Sequence, residues 1–426
     1  MAQQAPAGSD FYPPAPKSVE ETGLGMGFLT DLAIKIMYFE GNITGAQIAE
    51  EMKLPYAGVV DQLLEFLKRE KLCEVKGTGG FAEASYQYAI AERGRAIARE
   101  ALERSQYAGP APVTLEDYTL SIHRQTVGNI VVHQRTMRQA LSHMVIDEKT
   151  FSQLGPAVNS GRSLFLFGHP GNGKTAIAES IGKMILGDPM YIPYAIEIGS
   201  QVIRLFDNVN HVPAEGPVPA RQIDPRWIRV QRPVIITGGE LTLETLDLVY
   251  DPNNKYYEAP FQVKANGGML LIDDFGRQQV RPRDLLNRWI VPLEKRVDFL
   301  TLHTGRKIEV PFDVLIVFST NLAPRDLVDE AFLRRIRHKI EITDPSWEEY
   351  REIFRRVCEA KGVPYDEKAL AYLIQEHYLK HNRERRSCHP RDLVDQLIDT
   401  ARYLNVTPAL SKELVDRACD AYFVEI

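Results

Sequence analysis

The chain has 426 residues, 44% hydrophobic and 25% charged, which is enough for about two to four domains with cores of their own. Its 51 lysines and arginines against 57 aspartates and glutamates leave a net charge of −6, which excludes a histone-like binder that neutralises phosphates over its whole surface. The 29 glycines and 26 prolines are ordinary usage and exclude a fibrous repeat or wholesale disorder.

The four cysteines are scattered and form no Cys-x-x-Cys pair, which indicates a reducing compartment without a disulfide framework. The amino terminus has neither the basic nor the apolar region of a signal peptide. No apolar run approaches the roughly 20 residues that span a bilayer. We therefore expect a cytoplasmic protein with no membrane partner.

The first 107 residues predict an arm and a small domain. Residues 1–27 are rich in proline, alanine and glycine without periodicity, so we expect a flexible or strapped-down arm. From Phe28, apolar residues at helical spacing predict three short helices, and a glycine-rich turn then precedes an alternating strand at Tyr86–Ile90. A further helix is predicted over Glu92–Ser105. This order of elements is similar to a winged-helix domain, which we place at residues 28–107.

Winged helices commonly bind DNA, but the charges of this region argue against it. Residues 28–107 contain 10 Lys/Arg and 12 Asp/Glu. The helix that would enter the major groove carries Asp61 and Glu65, and its basic residues come only at its end. We favour docking to a protein or to another domain, with DNA binding as the alternative.

The remaining chain divides into a linker, a large core and a helical end. A proline-rich link, taken as residues 108–125, leads into a segment in which apolar runs alternate with helical patterns. This alternation predicts a parallel α/β sheet, and we assign residues 126–344 to it. Residues 345–426 are helical in pattern throughout and predict a small α-helical domain.

One loop matches the phosphate-binding pattern G-x-x-x-x-G-K-[ST] between the apolar strand Ser163–Phe167 and the helix-forming segment Ala176–Met184. Its glycines let backbone N–H groups point at phosphate oxygens, and the following helix adds the partial positive charge of its N-terminus. Lys174 is expected to bridge the β- and γ-phosphates of a nucleotide, and the Thr175 hydroxyl to ligate Mg²⁺. The loop consists of Gly168, His169, Pro170, Gly171, Asn172, Gly173, Lys174 and Thr175.

Two carboxylates end a later apolar strand, Met269–Ile272. Asp273 is expected to hold Mg²⁺ through its water shell, and Asp274 to polarise the attacking water. The next two residues complete an Asp-Phe-Gly triplet. A kinase is nevertheless excluded, because the phosphate loop is of another type and no catalytic-loop His-Arg-Asp precedes the triplet.

Three weaker motifs follow in the chain. Asn321 comes after an apolar strand that begins at Val314 and can help to hold the attacking water. Arg334 and Arg335 end a helix motif, Glu330–Ile336, that precedes another strand. Arg391 opens a helix in the C-terminal domain.

In this order the five motifs resemble those of AAA+ ATPases, from about Thr126 to the C-terminus. The resemblance implies ATP and Mg²⁺ as ligands, hydrolysis of ATP, Asn321 as sensor 1 and Arg391 as the lid arginine of sensor 2. It implies Arg335, with Arg334 as the alternate, as an arginine finger donated to the neighbouring subunit, and hence a ring, most often a hexamer. The family usually has Glu where this chain has Asp274, so hydrolysis is expected to be slow.

Two further features resemble the MoxR/magnesium-chelatase branch of that family. Asp273 lies 99 residues after Lys174, which leaves room for an insertion at about Asp207–Gln262. The segments Val297–Leu302 and Lys307–Val310 flank a His-Thr-Gly turn and predict an extra hairpin before the Asn321 strand.

A zinc site is the weakest candidate. His377 and His381 stand four residues apart near Cys388 and His389, but the lysine and arginines around them oppose a cation. A solvated helix face is the preferred interpretation.

Aromatic and basic residues near the insertion have two interpretations. Tyr256, Tyr257 and Phe261 could grip a substrate in a ring pore, although packing of the insertion is preferred. Arg306 and Lys307 could touch a threaded polymer, although ordinary surface is preferred.

The sequence thus predicts an α/β protein with an AAA+ P-loop parallel sheet, an α-helical lid and a preceding winged-helix domain. The function predicted is ATP-driven remodelling of a protein client that the winged helix recruits. DNA remodelling or transcription is the alternative.

Overall fold

A computed structural model of the chain describes residues 11–78, 82–185, 189–216, 223–327 and 333–423. Residues 1–10 of the expected arm and residues 330–332 of the arginine motif lie outside these ranges. Among the described residues, no helix combines the length and the apolar character needed to cross a membrane.

Strands and helices alternate through much of the chain, and the fold is mixed α/β. The strands are β1 (Asn42–Thr44), β2 (Cys73–Thr78), β3 (Tyr86–Ile90), β4 (Val113–Thr114), β5 (Ser163–Phe167), β6 (Met190–Pro193), β7 (Ala195–Ile198), β8 (Gln201–Arg204), β9 (Trp227–Val230), β10 (Val234–Thr237), β11 (Val249–Asp251), β12 (Tyr256–Glu258), β13 (Met269–Ile272), β14 (Val297–Thr301), β15 (Lys307–Pro311), β16 (Leu315–Thr320) and β17 (His338–Glu341). The helices are α1 (Met26–Glu40), α2 (Gly45–Met52), α3 (Asp61–Arg69), α4 (Glu92–Arg104), α5 (Leu115–Arg124), α6 (Gln134–Ala140), α7 (Glu148–Asn159), α8 (Lys174–Ile185), α9 (Phe261–Lys264), α10 (Pro282–Arg288), α11 (Ile290–Lys295), α12 (Pro324–Leu327), α13 (Trp347–Lys361), α14 (Glu367–Leu373), α15 (His389–Tyr403) and α16 (Lys412–Tyr422).

The central sheet has five parallel strands in the order β10, β13, β16, β5, β17. Every residue of β13 and β16 is buried, which is typical of a parallel sheet covered by helices on both faces. Leu164 and Leu166 of β5 pack in the cluster formed with α7 and α8, whereas Phe165 packs in the cluster formed with α10. Because β5, β13 and β16 run parallel, the loop after β5 lies at the same end of the sheet as the residues that follow β13 and β16.

The N-terminal domain contains α1 to α4 and an antiparallel sheet in which β3 lies between β1 and β2. Helix α2 begins with a capping box, in which Thr44 and Gln47 bond each other's backbone amides. Leu32, Ile48 and Leu64, one from each of the first three helices, are almost completely buried in the shared core.

The described part of the arm, residues 11–27, is strapped down, so a flexible arm is wrong for these residues. Val19 and Leu24 are buried, and the Phe11 ring meets Trp227 edge-on at 5.9 Å. The Asp224 amide donates to the Pro13 carbonyl at 2.9 Å. Burial of apolar side chains and a backbone contact hold the segment, whose regular structure before α1 is a single 3₁₀ turn at Glu20–Thr22.

A second sheet has the strand order β11, β12, β8, β7, β4, and β6 and β9 form an antiparallel pair beside it. The predicted insertion, 207–262, has wrong boundaries in two respects. The added strands begin at β6, before residue 207, and β10, a strand of the central sheet, lies inside the predicted range. The residues of a four-residue apolar strand do not by themselves indicate which sheet the strand joins.

The predicted linker, residues 108–125, is also wrong, because it contains β4 and α5. β4 pairs in parallel with β7 of the second sheet. The Thr114 side chain caps α5 by accepting from the Asp117 amide, and Tyr118 and Ile122 of α5 are buried.

The N-terminal domain is packed against the second sheet. Ala195 and Val202 of that sheet belong to the same hydrophobic cluster as the N-terminal helices. Arg226 is buried, pairs with the buried Asp224, and donates to the carbonyls of Thr22 at 2.9 Å and Pro112 at 3.1 Å. The Arg226 guanidinium thus connects the arm, the segment 108–125 and the insertion.

Strands β14 and β15 form the predicted hairpin before β16. Leu300 and Val310 of the hairpin are buried in the hydrophobic cluster of the second sheet. At its turn, His303 stacks on Tyr250 with ring centres 4.3 Å apart, and the His303 amide donates to the Tyr257 hydroxyl at 3.0 Å. The hairpin therefore connects the second sheet to β16, the strand that Asn321 follows.

Within residues 345–423, the chain forms the helices α13 to α16, as the sequence predicts. Helix α13 begins with a capping box of Ser346 and Glu349. Tyr350, Tyr378 and Leu397 are buried in the core of this helical domain, and the Tyr350 and Tyr378 hydroxyls lie 2.8 Å apart.

Candidate functional site

The predicted phosphate loop connects β5 to α8, which begins at Lys174. Gly168, Gly171 and Gly173 have φ angles of 141°, 83° and 83°, a region that other residues rarely adopt. A Cβ on Gly168 would lie 2.2 Å from the Ile342 carbonyl oxygen. The loop therefore needs its glycines both for backbone conformation and for close contact with the chain after β17.

Lys174 spans the loop. Its Nζ donates to the carbonyls of Gly168 at 3.0 Å and His169 at 2.9 Å, and to Asn321 Oδ1 at 2.7 Å. Burial lowers the pKa of Lys174, and the nearby carboxylates oppose that effect. The lysine thus contacts the residue that directly follows β16.

Thr175 and Asp273 form a second contact between the loop and the sheet edge. The Thr175 hydroxyl donates to Asp273 Oδ2 at 2.9 Å, with Oδ1 at 3.1 Å. A hydroxyl beside a carboxylate is a set of oxygen ligands that suits Mg²⁺. The residues present therefore fit the metal that the sequence predicts.

Asp274 lies beside Asn321, whose Nδ2 is 3.4 Å from Asp274 Oδ1. Its φ of 48° is in the left-handed region, which Asp tolerates better than most residues. The next residue is tied to the neighbouring strand, because the Phe275 amide donates to the Ser319 carbonyl and the Thr320 hydroxyl to the Phe275 carbonyl. These bonds hold the turn that carries both aspartates.

A cavity of about 850 Å³ lies over the loop, within the range of about 300–1,000 Å³ typical of small-molecule sites. Its walls combine the phosphate loop, Asp273, Asp274 and Asn321 with residues of the helical domain. Arg391, in the first turn of α15, lines the cavity, and its side chain is 65% exposed and pairs with Asp392 at 3.0 Å.

Arg334 and Arg335 lie elsewhere. The Arg335 carbonyl accepts from the hydroxyl of Ser163, the first residue of β5, whereas the phosphate loop follows the last residue of that strand. At about 3.3 Å per residue the two ends of β5 are about 13 Å apart. Both arginines line a separate cavity of about 550 Å³, and Arg335 pairs with Glu294 at 2.6 Å.

The motifs predicted from the sequence do not include the residues that connect the loop to the helical domain. Asp344, two residues after Ile342, accepts from Asn172 of the loop and pairs with Arg386. The available signal was its position, since Asp344 follows the last strand of the parallel sheet at the edge where such sites form.

The weaker candidates are separated in the structure. His377 contacts Asp416 and His389 contacts Tyr378, and among the described residues the group of potential metal ligands is instead His169, Asp344 and Glu384. Tyr257 is completely buried, which agrees with packing rather than gripping.

A family model described as a domain of unknown function (DUF8689) matches residues 346–421, the region of α13 to α16. No curated protein matched the sequence.

The structural neighbours include a mutant of RuvB from Thermotoga maritima, with 12% identity and a TM-score of 0.40 over 66% of this chain and 71% of that chain. They also include NtrX from Brucella abortus in complex with ATP, with 14% identity and a TM-score of 0.38 over 78% of this chain and 64% of that chain. Likenesses of this size assign no function to the chain.

Proposed function

We propose that this chain binds ATP with Mg²⁺ and hydrolyses it, as the AAA+ proteins that its motifs resemble do. The observation that carries the proposal is the meeting of three strand ends at one loop. Lys174 contacts Asn321 at 2.7 Å, and Thr175 contacts Asp273 at 2.9 Å. Side chains that lie about 100 and 150 residues apart along the chain converge where a nucleotide site requires them.

Each residue has a role in this proposal. The loop amides and Lys174 would bind the phosphates and stabilise negative charge as it develops. Thr175 and Asp273 would hold Mg²⁺, which neutralises charge on the phosphoryl group. Asp274 would polarise the attacking water, and Asn321 would hold that water in place.

We also propose a ring, with a hexamer as the expected size, in which Arg335, or Arg334, reaches the phosphates bound by the neighbouring copy. Their position at the amino end of β5 supports this role, since the phosphate loop of their own chain follows the other end of the strand. Arg391 would contact the nucleotide of its own chain from the lid.

The N-terminal domain is proposed to be a winged helix that recruits a protein client, which hydrolysis then remodels. Its excess of acidic over basic residues, 12 against 10, supports a protein partner. Membership of the MoxR/magnesium-chelatase branch is supported by the hairpin that precedes the Asn321 strand.

Phosphate release from ATP by the full-length, assembled protein tests the proposal. Lys174→Ala should reduce release to background, whereas Lys183→Ala, an exposed lysine on the same helix, should leave it unchanged. Wild-type release no higher than that of Lys174→Ala would replace the enzyme with a nucleotide-gated switch.

A salt titration of duplex DNA binding tests the choice of partner. We expect the proposed winged-helix domain by itself to bind random duplex DNA with an affinity no better than about 10⁻⁴ M, the weak end of non-specific binding. Micromolar binding with a steep salt dependence would favour the DNA alternative. A pull-down with Asp274→Asn, chosen to slow hydrolysis, would then identify the client that stays bound.

A further inference from the structure

The carboxylate of Asp344 contacts both the phosphate loop and the helical domain. Its Oδ1 accepts from Asn172 Nδ2 at 2.7 Å, and His169 Nδ1 lies 3.2 Å from its Oδ2. Arg386, in the segment before α15, pairs with the same carboxylate. Because hydrogen bonds to charged groups are stronger than neutral ones, Asp344 connects the phosphate loop strongly to the helical domain.

The loop and the helical domain also touch directly at this point. Asn172 is only 4% exposed, and its Oδ1 accepts from the Ser387 amide at 3.2 Å. The Cys388 amide donates to the Gly171 carbonyl at 2.8 Å. A Cβ on Gly171 would lie 2.5 Å from Cys388 Sγ. The side of the loop turned to Asp344 is therefore closely packed.

Asp344 is itself anchored to the central sheet. Two residues earlier, the Ile342 amide donates to the carbonyl of Phe167, the last residue of β5, at 2.8 Å. Hydrogen bonds from Asn172 and Arg386 hold the pKa of Asp344 below its usual value against the effect of burial, so the group is a carboxylate at neutral pH. One charged group thus connects the sheet, the loop and the lid.

We propose that Asp344 is a positioning residue for the nucleotide. It holds the loop in its binding conformation through Asn172 and sets the lid against the loop through Arg386. The affinity for the nucleotide then depends on Asp344, although Asp344 is not among the residues proposed above to contact the nucleotide. This inference rests on the proposed function, because it requires nucleotide binding at the phosphate loop.

Calorimetric titration of the full-length protein with MgADP tests the inference in a double-mutant cycle. Asp344→Ala and Asn172→Ala should each weaken binding about tenfold, the effect expected for loss of a charged hydrogen bond. The loss in the double variant should be smaller than the sum of the two single losses, because the contact between Asn172 and Asp344 is removed by either change. Asp399→Ala, an exposed carboxylate on α15, is the matched control and should not change binding.

Two readouts separate positioning from a general structural role. Asp344→Ala should raise the KM for ATP more than it lowers kcat, and Asp344→Glu, which keeps the charge, should recover part of the affinity. If Asp344→Ala does not fold, the loop variant Asn172→Ala with its wild-type lid carries the test.

Unchanged or tighter MgADP binding by these variants would overturn the inference. Tighter binding is what simple charge repulsion predicts, because a negative charge near the phosphates is removed. Additive losses in the double variant would overturn it as well. A wild-type protein that binds no MgADP would instead overturn the proposed function.

Discussion

The two five-stranded sheets of this chain differ in where their polar residues lie. In the central sheet, β13 and β16 are buried throughout, and Asp273 and Asn321 directly follow their last residues. In the second sheet the strands have two to four residues, and an ionic cluster lies beside them, in which Lys264 of α9 pairs with Asp207 and with Glu258 of β12. The parallel sheet thus carries the candidate site, whereas the second sheet contacts the N-terminal domain.

Arg226→Met should produce the largest effect on this comparison, a loss of about 3–5 kcal/mol in the free energy of unfolding. It leaves the buried Asp224 unpaired and removes two hydrogen bonds to the carbonyls of the arm and of the segment before α5. Urea denaturation followed by tryptophan fluorescence would measure the loss. Arg229→Met, on β9 and only partly buried, should cost much less.

The same Arg226 variant should hydrolyse ATP at the wild-type rate under conditions where it is folded. A parallel loss of hydrolysis would contradict the division of labour between the two sheets.

Asp274→Asn should slow hydrolysis and leave the stability of the fold unchanged. Hydrolysis should fall about 100-fold, equivalent to about 3 kcal/mol in activation free energy, because an amide cannot polarise the water as a carboxylate does. Nucleotide affinity and the urea midpoint should not change, since Thr175 and Asp273 keep their contact. Asp284→Asn, on α10 away from the cavity, is the control in a phosphate-release assay. Full activity of Asp274→Asn would remove this residue from the proposed mechanism.

Tyr257→Phe should lower the free energy of unfolding by only about 1 kcal/mol. The change removes the hydroxyl that accepts from the His303 amide at 3.0 Å. Hydrogen exchange at the hairpin turn should become faster, with little change in the rate of hydrolysis. Tyr250→Phe keeps the ring stacked on His303 and should preserve slow exchange. If Tyr257→Phe slows hydrolysis strongly, the hairpin transmits the state of the second sheet to Asn321.

The smallest expected effect is a pH dependence of the second sheet. Burial lowers the pKa of His211, which is neutral in the fold with Nδ1 accepting from the Asp207 amide and Nε2 donating to the Lys264 carbonyl. The unfolded chain binds the proton near pH 6.5, so this stability is present above that pH and is lost as the pH falls below it. The thermal midpoint should fall between pH 7 and pH 5, and less so in His211→Gln. An equal fall in both proteins would assign the effect to other groups.

Much of the central sheet could be predicted because its pattern is local. The strands Ser163–Phe167 and Met269–Ile272 agree with the structure at both ends, since glycine and aspartate limit each apolar run. The insertion predicted at 207–262 includes the residues of β10, Val234–Thr237, because the pairing of β10 with β13 depends on residues far away in the chain. The helix α5 was hidden by the proline-rich stretch before it.

The amino-acid sequence by itself determined the phosphate loop and the two aspartates after β13, because spacing and residue type specify these features over a few residues. The tertiary structure alone decided that the arm is strapped down, that the N-terminal domain rests on a second sheet, and that Asp344 meets a loop residue 172 positions away. Such contacts depend on which distant segments pack together, and no local pattern of residues encodes that choice.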